Sequence, residues 1–477
     1  MSDVWNKLRD GTLSADAALR DMANVDTLRV AITGLSGAGK TVFLVSVISN
    51  LLAMVKGAGG KKWDSLSRLR EVLTNLEGQS RLLGIEIEPS GAGLIPRFPY
   101  EPFRDVLATG NGPGWPRSTE KPALITLRLL VQQDSWIKQA VLGDKRVVRL
   151  ELLDYPGEWL VDLPLLEQSY DGWSAETLAH LREPPRASMA GEFLNFIGTL
   201  SPDAPASEAT EVYGFRLYSE ALGRCRREAG LRWLQPGRFL MPGEWQDAPF
   251  MHFFPSTLNA SFGTLGAQLR DRFEVYKSEI RKSFFEPYFS AFNAQVVLVD
   301  VLGALFAGEA AFEDTKKALG SVSASYARLL EGGWFTGHKI ERVAFAATKS
   351  DHVDDLQRDN LRLTLQYMVE SAPANAKPNV RRSFHVISSI RCTIDDNVVD
   401  SDGRVKRVVK GVKLGGTVQQ PFSAGFVPAG VVQKSFWSQP FFEMPKLQPP
   451  AFQSGDSYPI EHLNLDGLLV ELLGDVL

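Results

Sequence analysis

Only two cysteines, Cys225 and Cys392, occur in 477 residues, too few for a disulfide framework or a thiolate metal site. That scarcity fits a reducing compartment. An uncharged apolar run of the ~20 residues needed to span a bilayer is also missing. The best candidate, residues 296–307, is interrupted by Asp300. The opening stretch Met1-Ser2-Asp3-Val4-Trp5-Asn6-Lys7-Leu8 lacks the basic-then-apolar order of a secretory signal, so a cytoplasmic location is expected. Excess positive charge is absent too, and a net charge of -4 speaks against a dedicated nucleic-acid binder. What is present, 44% hydrophobic and 23% charged residues, is the composition of a folded chain. Its length predicts two or three domains.

The most informative stretch is Gly34-Leu35-Ser36-Gly37-Ala38-Gly39-Lys40-Thr41, which fits G-x-x-x-x-G-K-[ST]. An apolar, β-branched stretch precedes it (Leu28-Arg29-Val30-Ala31-Ile32-Thr33), and an apolar helical one follows (Val42-Phe43-Leu44-Val45-Ser46-Val47-Ile48). Strand, loop and helix are the context a phosphate-binding loop needs. Its glycines let the backbone curl, so that successive N–H groups from Ser36, Gly37, Ala38, Gly39, Lys40, Thr41 and Val42 face one anion at a helix N-terminus. Lys40 is expected to reach the β- and γ-phosphates and the Thr41 hydroxyl to ligate Mg²⁺. A glycine-rich turn without ligand is the bland alternative.

Downstream, Val147-Val148-Arg149-Leu150-Glu151-Leu152-Leu153 reads as a strand ending in Asp154-Tyr155-Pro156-Gly157, a D-x-x-G. An acidic residue there holds the Mg²⁺ shell in P-loop proteins, and the glycine N–H is placed for the γ-phosphate. Glu158 follows where many GTPases have a water-orienting glutamine. As a carboxylate it accepts from water but donates nothing, which predicts slow hydrolysis; a solvated turn residue is the equal alternative. The pair Leu124-Ile125-Thr126-Leu127-Arg128-Leu129-Leu130-Val131 and 147–153 reads as antiparallel strands at a sheet edge. Further on, Gln295-Val296-Val297-Leu298-Val299-Asp300 is a buried parallel-type strand, followed by a helix over 311–330.

A third signal comes from Thr348-Lys349-Ser350-Asp351, which fits [NT]-K-x-D after the strand Arg342-Val343-Ala344-Phe345-Ala346-Ala347. A carboxylate at Asp351 accepts from the ring N–H and exocyclic amine of guanine, a donor pair adenine lacks. Lys349 lays its methylene stem along the base. The small-residue loop Ser388-Ser389-Ile390 is a weaker candidate, its Ser389 and Ile390 backbone expected at the base.

Spacing shapes the rest. The gaps after Lys40 and after Asp154 are far too long for single crossovers, which implies insertions. Residues 65–82 read as a polar helix, 90–116 as irregular, and 159–288 as mostly helical. An arginine-rich stretch there (Arg224, Arg226, Arg227, Arg232, Arg238) is either an anionic-partner surface or a solvated helix face. Residues 404–413 form a basic strand, read as edge protection or a lipid or RNA contact.

The set GLSGAGKT, WPRST, LLDYPGEWL, VVLVD and AATKSD, with these gaps, resembles the YcjX-like family of bacterial P-loop proteins. That resemblance implies an α/β fold with a Ras-like P-loop GTPase core, a mostly parallel sheet with helices on both faces, large helical insertions and a C-terminal β-rich insertion. It implies GTP/GDP and Mg²⁺ as ligands, and Thr119 as a switch threonine on Mg²⁺. It also implies a link to envelope or phage-shock stress, a membrane-protein partner, and a cytoplasmic place that extends to the inner face of the membrane. Asn293-Ala294-Gln295 departs from the family's usual Asp-Arg-Gln. The expected layout is an N-terminal helical extension (1–27), a core (28–56, 117–165, 292–392, 464–477), an insertion before the first switch (57–116), a mainly helical insertion (166–291) and a hairpin insertion (393–463). The competing function is an ATP-dependent phosphotransferase whose insertions form an acceptor site.

Overall fold

The computed structural model describes residues 25–35, 37–56, 65–75, 77–89, 95–108, 114–116, 121–133, 139, 143–286, 292–331, 340–371, 381–399, 401–438, 445–474 and 476–477. The expected N-terminal helix, Ser36 and Thr119 lie outside them. The strands are β1 (Val25–Gly34), β2 (Leu82–Ile87), β3 (Ala123–Gln132), β4 (Lys145–Asp154), β5 (Ala294–Val299), β6 (Arg342–Ala347), β7 (Arg381–Val386), β8 (Thr393–Val399), β9 (Val405–Val412) and β10 (Gln419–Phe422). The first seven make one sheet in the order β2-β3-β4-β1-β5-β6-β7, and the last three a separate sheet in the order β10-β9-β8. The fold is mixed α/β, with a mostly parallel main sheet, helical insertions and a C-terminal antiparallel sheet.

β1 is central, parallel to β4 on one side and β5 on the other. Every residue of β5 is buried, as a nearly continuous apolar run requires of a strand covered on both faces, with Gln295 its one polar member. Alternation along β1 divides two cores. Val30 and Ile32 face α1 (Lys40–Lys56) and the closing helix Leu465–Leu473, while Ala31 and Leu35 face the helical insertion. The other main helices are α2 (Ser67–Val72), α3 (Tyr100–Ala108), α4 (Tyr170–Leu181), α5 (Glu208–Ala229), α6 (Leu265–Ile280), α7 (Glu309–Glu331) and α8 (Arg358–Glu370).

The helical insertion is delimited by local chemistry. The Ser207 hydroxyl caps α5 by accepting from Thr210 N, Thr264 does the same for α6, and Gly230 ends α5 in the left-handed region at φ 65°. Aromatic rings fill its interior, with Trp173 stacked on Phe273 at 5.1 Å between centroids.

Several expectations are corrected. Residues 65–82 form only the short α2 before the chain turns and enters β2, which pairs antiparallel with β3. Pairing partners distant in sequence decide that strand, not local helical propensity. β3 and β4 are antiparallel neighbours, but lie inside the sheet because β2 covers the free side of β3. Residues 90–116 contain α3, whose buried Tyr100 shares a 3.0 Å hydrogen bond with Ser49 of α1. The basic strand is no edge: β9 runs between β8 and β10, with Lys410 paired to Asp396 and Arg407 to Asp355.

Candidate functional site

The carboxyl ends of β1, β4, β5 and β6, with the loop after β7, come together along one side of the sheet. Open α/β sheets bind ligands in that place. At the end of β1, Gly37 and Gly39 adopt φ of 82° and 83°, a region closed to most side chains. Gly34 is required by proximity, since a Cβ there would lie 2.5 Å from the Leu298 carbonyl of β5. The turn is closed by Ala38 N donating to Leu35 O (3.0 Å), and α1 starts with Phe43 N donating to Gly39 O (2.9 Å). Lys40 folds back over this cradle, its Nζ donating to Gly34 O at 3.1 Å. Thr41 and Val42 occupy the first turn of α1, Thr41 buried and Val42 half-buried.

Beside the loop, Asp154 is fully buried and in register with Ile32 of β1. A hydroxyl at Thr41 and a carboxylate at Asp154 are hard oxygen donors. Among the described residues no group of three or more His, Cys, Asp or Glu could hold a metal unaided. A cation here would depend on phosphate oxygens and water, which is how Mg²⁺ is usually held, and the donors present fit it.

Gly157 meets the loop directly, because a Cβ there would fall 2.0 Å from Gly34 O. From this contact a 3-10 stretch, Gly157–Glu167, runs buried beneath the helical insertion. Asp162 at its centre accepts from Gly237 N (2.7 Å), Arg238 N (3.2 Å) and Tyr276 Oη (2.8 Å). Burial pushes the Asp162 carboxyl up to about 6, against the pull of those donors. Trp159 Nε1 donates to Met241 O at 3.1 Å, and the Arg238 guanidinium lies 3.4 Å from the Trp159 ring and 3.9 Å from the Trp245 ring. Sequence reasoning missed Asp162, Gly237, Arg238 and Tyr276 in these roles. The available signal was a carboxylate inside the apolar run Trp159-Leu160-Val161-Asp162-Leu163, which demands buried donors.

Glu158 is not solvated: its side chain is 13% exposed and pairs with Arg226 of α5 at 3.3 Å. The arginine-rich stretch therefore divides. Arg224 and Arg227 make exposed pairs with Glu228 and Glu220, whereas Arg226 reaches Glu158 and Arg238 is buried.

At the other end, Thr348 N donates to Val299 O (2.9 Å), and Lys349 takes a left-handed φ of 58°. Its ammonium pairs with Asp300, which also accepts from Gly303 N at 2.9 Å. Asp351 is 1% exposed, one oxygen accepting from Ser388 Oγ at 2.6 Å and the other from Cys392 N at 2.8 Å. Ser388 and Cys392 thus set the plane of that carboxylate, roles sequence reasoning missed. Ser389 and Ile390 are buried in the adjoining loop. The departure at Asn293 lies at the start of β5, away from this edge, its Oδ1 accepting from Arg29 N at 2.9 Å. Gln295 donates to Tyr155 Oη at 2.6 Å.

A family model described as "YcjX-like family, DUF463" matches residues 28–477. The protein named Ras-like GTPase YcjX of Escherichia coli (strain K12) is 32% identical over 465 residues, spanning 94% of this chain and 96% of that protein. A protein of the same name from Shewanella oneidensis is 32% identical over 471 residues, 94% of each.

Proposed function

The chain belongs to the YcjX-like family, and from that premise we propose that it is a Mg²⁺-dependent GTP-binding protein that hydrolyses GTP slowly and works as a nucleotide-dependent switch. The observation that carries this reading is the pairing of a phosphate cradle at Gly34–Thr41 with a buried, doubly hydrogen-bonded carboxylate at Asp351, both at carboxyl ends of one sheet. In this reading the loop N–H groups from Ser36 to Val42 and the Lys40 ammonium hold the phosphates. Thr41, Asp154 and Thr119 hold Mg²⁺, which when bound neutralises phosphate charge. Thr348, Lys349, Asp351, Ser389 and Ile390 frame the guanine. Gly157 N–H meets the γ-phosphate, and Glu158 accepts a hydrogen bond from the attacking water. That water forms a bond to the γ-phosphorus as the bond to the bridging oxygen breaks. GDP leaves with the bridging oxygen, inorganic phosphate carries the water oxygen, and one proton is released.

We assign residues 28–56, 117–165, 292–392 and 464–477 to the GTPase core and the intervening stretches to insertions. The family resemblance adds an envelope-stress role beside a membrane-protein partner at the inner face of the membrane. No helix among the described residues is long and apolar enough to cross a membrane. The test is the affinity of the purified full chain for GTP, GDP and ATP with Mg²⁺. GTP and GDP binding at least about tenfold tighter than ATP is expected, since a buried polar reader discriminates against a base that leaves it unpaired. Equal affinity for ATP would overturn the guanine assignment and favour an ATP-dependent phosphotransferase.

A further inference from the structure

Glu158 stands one residue beyond the glycine that touches the phosphate loop, and three contacts define its position. On one side Gly157 abuts Gly34 O. On the other, Gly237 of the helical insertion lies so close that a Cβ on it would fall 1.8 Å from the Glu158 carbonyl oxygen. The backbone is therefore confined between loop and insertion. The third contact is to the side chain, where Arg226 Nη1 donates to Glu158 Oε1 at 3.3 Å with 30% and 13% of the two side chains exposed.

Arg226 is itself firmly mounted. It sits in the last turn of α5, which Gly230 terminates at φ 65° with Leu231 N donating back to Cys225 O at 3.2 Å. Immediately after, Trp233 N donates to the Asp314 carboxylate of α7 at 2.7 Å, and Arg186 pairs with the same carboxylate. Burial lowers the pKa of the neighbouring Arg232 guanidinium while the Asp300 and Glu158 carboxylates oppose that shift, so a second cation lies within electrostatic reach of Glu158. A carboxylate at a turn beside open solvent has many rotamers. This one is held by a cation delivered from a separate, rigid element.

We propose that Arg226 is a positioning residue for GTP hydrolysis: from the helical insertion it engages Oε1 of Glu158 and leaves Oε2 to accept a hydrogen bond from the attacking water. The inference rests on the GTPase reading above, and it gives the insertion a part in the reaction. The bonds made and broken are those already described. Arg226 touches neither water nor phosphate, and takes up no proton. Its contribution is geometric, keeping an acceptor within reach of the water's O–H before the γ-phosphorus is attacked.

The experiment uses the full chain with Mg²⁺, measuring Kd for a fluorescent GTP analogue and single-turnover hydrolysis of GTP labelled at the γ-phosphate. Arg226→Ala should slow hydrolysis about tenfold or more with Kd changed by less than about threefold, the pattern of an interaction used in the transition state rather than in binding. Arg226→Lys, which keeps the charge, should recover part of the rate. Glu158→Ala, which removes the acceptor, should be slow as well, and the double variant Arg226→Ala/Glu158→Ala no slower than the slower single one, because both act through one carboxylate. Losses that multiply would overturn the proposal, since Arg226 would then act on the phosphate independently of Glu158. Parallel losses of rate, affinity and Tm in both Arg226 variants would also overturn it, by making Arg226 a structural support. A wild-type chain that binds GTP but shows an Arg226→Ala rate equal to its own defeats this inference alone. Failure of the wild type to bind GTP defeats the GTPase reading itself.

Discussion

Asp351→Asn is the substitution whose outcome the structure specifies most closely. Of the two carboxylate oxygens, one accepts from Cys392 N, a backbone donor that cannot turn away, and the other from Ser388 Oγ, a hydroxyl that can also accept. An asparagine must therefore set its carbonyl toward Cys392 N and its amide toward Ser388. The serine then accepts from that amide and turns its one proton to Ile390 O, 2.7 Å away. All hydrogen bonds within the protein survive, so Tm should stay close to that of the wild type. In the proposed site the loss falls on the base, because one of the two acceptor oxygens offered to the guanine donors becomes a donor. A hydrogen bond to a charged group contributes roughly 1.5–3 kcal/mol, and at about 1.4 kcal/mol per decade GTP affinity should fall by roughly one to two orders of magnitude. Xanthine has a carbonyl where guanine has its amine, so the new amide should favour XTP. Competition of GTP and XTP against a fluorescent nucleotide measures the ratio directly. An unchanged GTP to XTP ratio would refute both the base assignment and this orientation of the amide.

Lys40→Ala removes the ammonium over the cradle and should weaken triphosphate binding by about two orders of magnitude while far-UV circular dichroism stays unchanged; calorimetric titration with GTP is the check. Gly237→Ala drives a methyl into the Glu158 carbonyl and should cost about 1–3 kcal/mol in denaturant unfolding. Unaltered stability there would mean the insertion does not clamp the 3-10 stretch. Asp162 has its folded pKa raised from 3.8 to about 6, so the folded chain holds its proton more tightly. The contribution of this group to stability is greatest below about pH 4 and declines as pH rises through about 6. The stability of Asp162→Asn relative to wild type should accordingly rise across that window by up to about 3 kcal/mol, which chemical unfolding at several pH values measures. A difference independent of pH would contradict the burial argument.

What the sequence by itself determined is what short stretches of neighbours encode. The glycines of the loop, the hydroxyl behind Lys40, the carboxylate ending β4 and the Thr-Lys-Ser-Asp after β6 were legible because each depends on backbone freedom, functional group and an adjoining apolar strand. The parallel character of β5 was legible in its near-continuous apolar run, whereas the order of the strands was not. Only the tertiary structure decided which distant groups complete those pieces. Pairing with β3 made a strand of residues 82–87, and β10 and β8 put the basic strand at the centre of its sheet. Folding brought Ser388 to Asp351 across 37 positions and Arg226 to Glu158 across 68. Such partners leave no local pattern, because a buried carboxylate states only that it needs donors. Which donors arrive depends on how the helical insertion and the sheet pack together, and that is settled by the whole of two apolar cores.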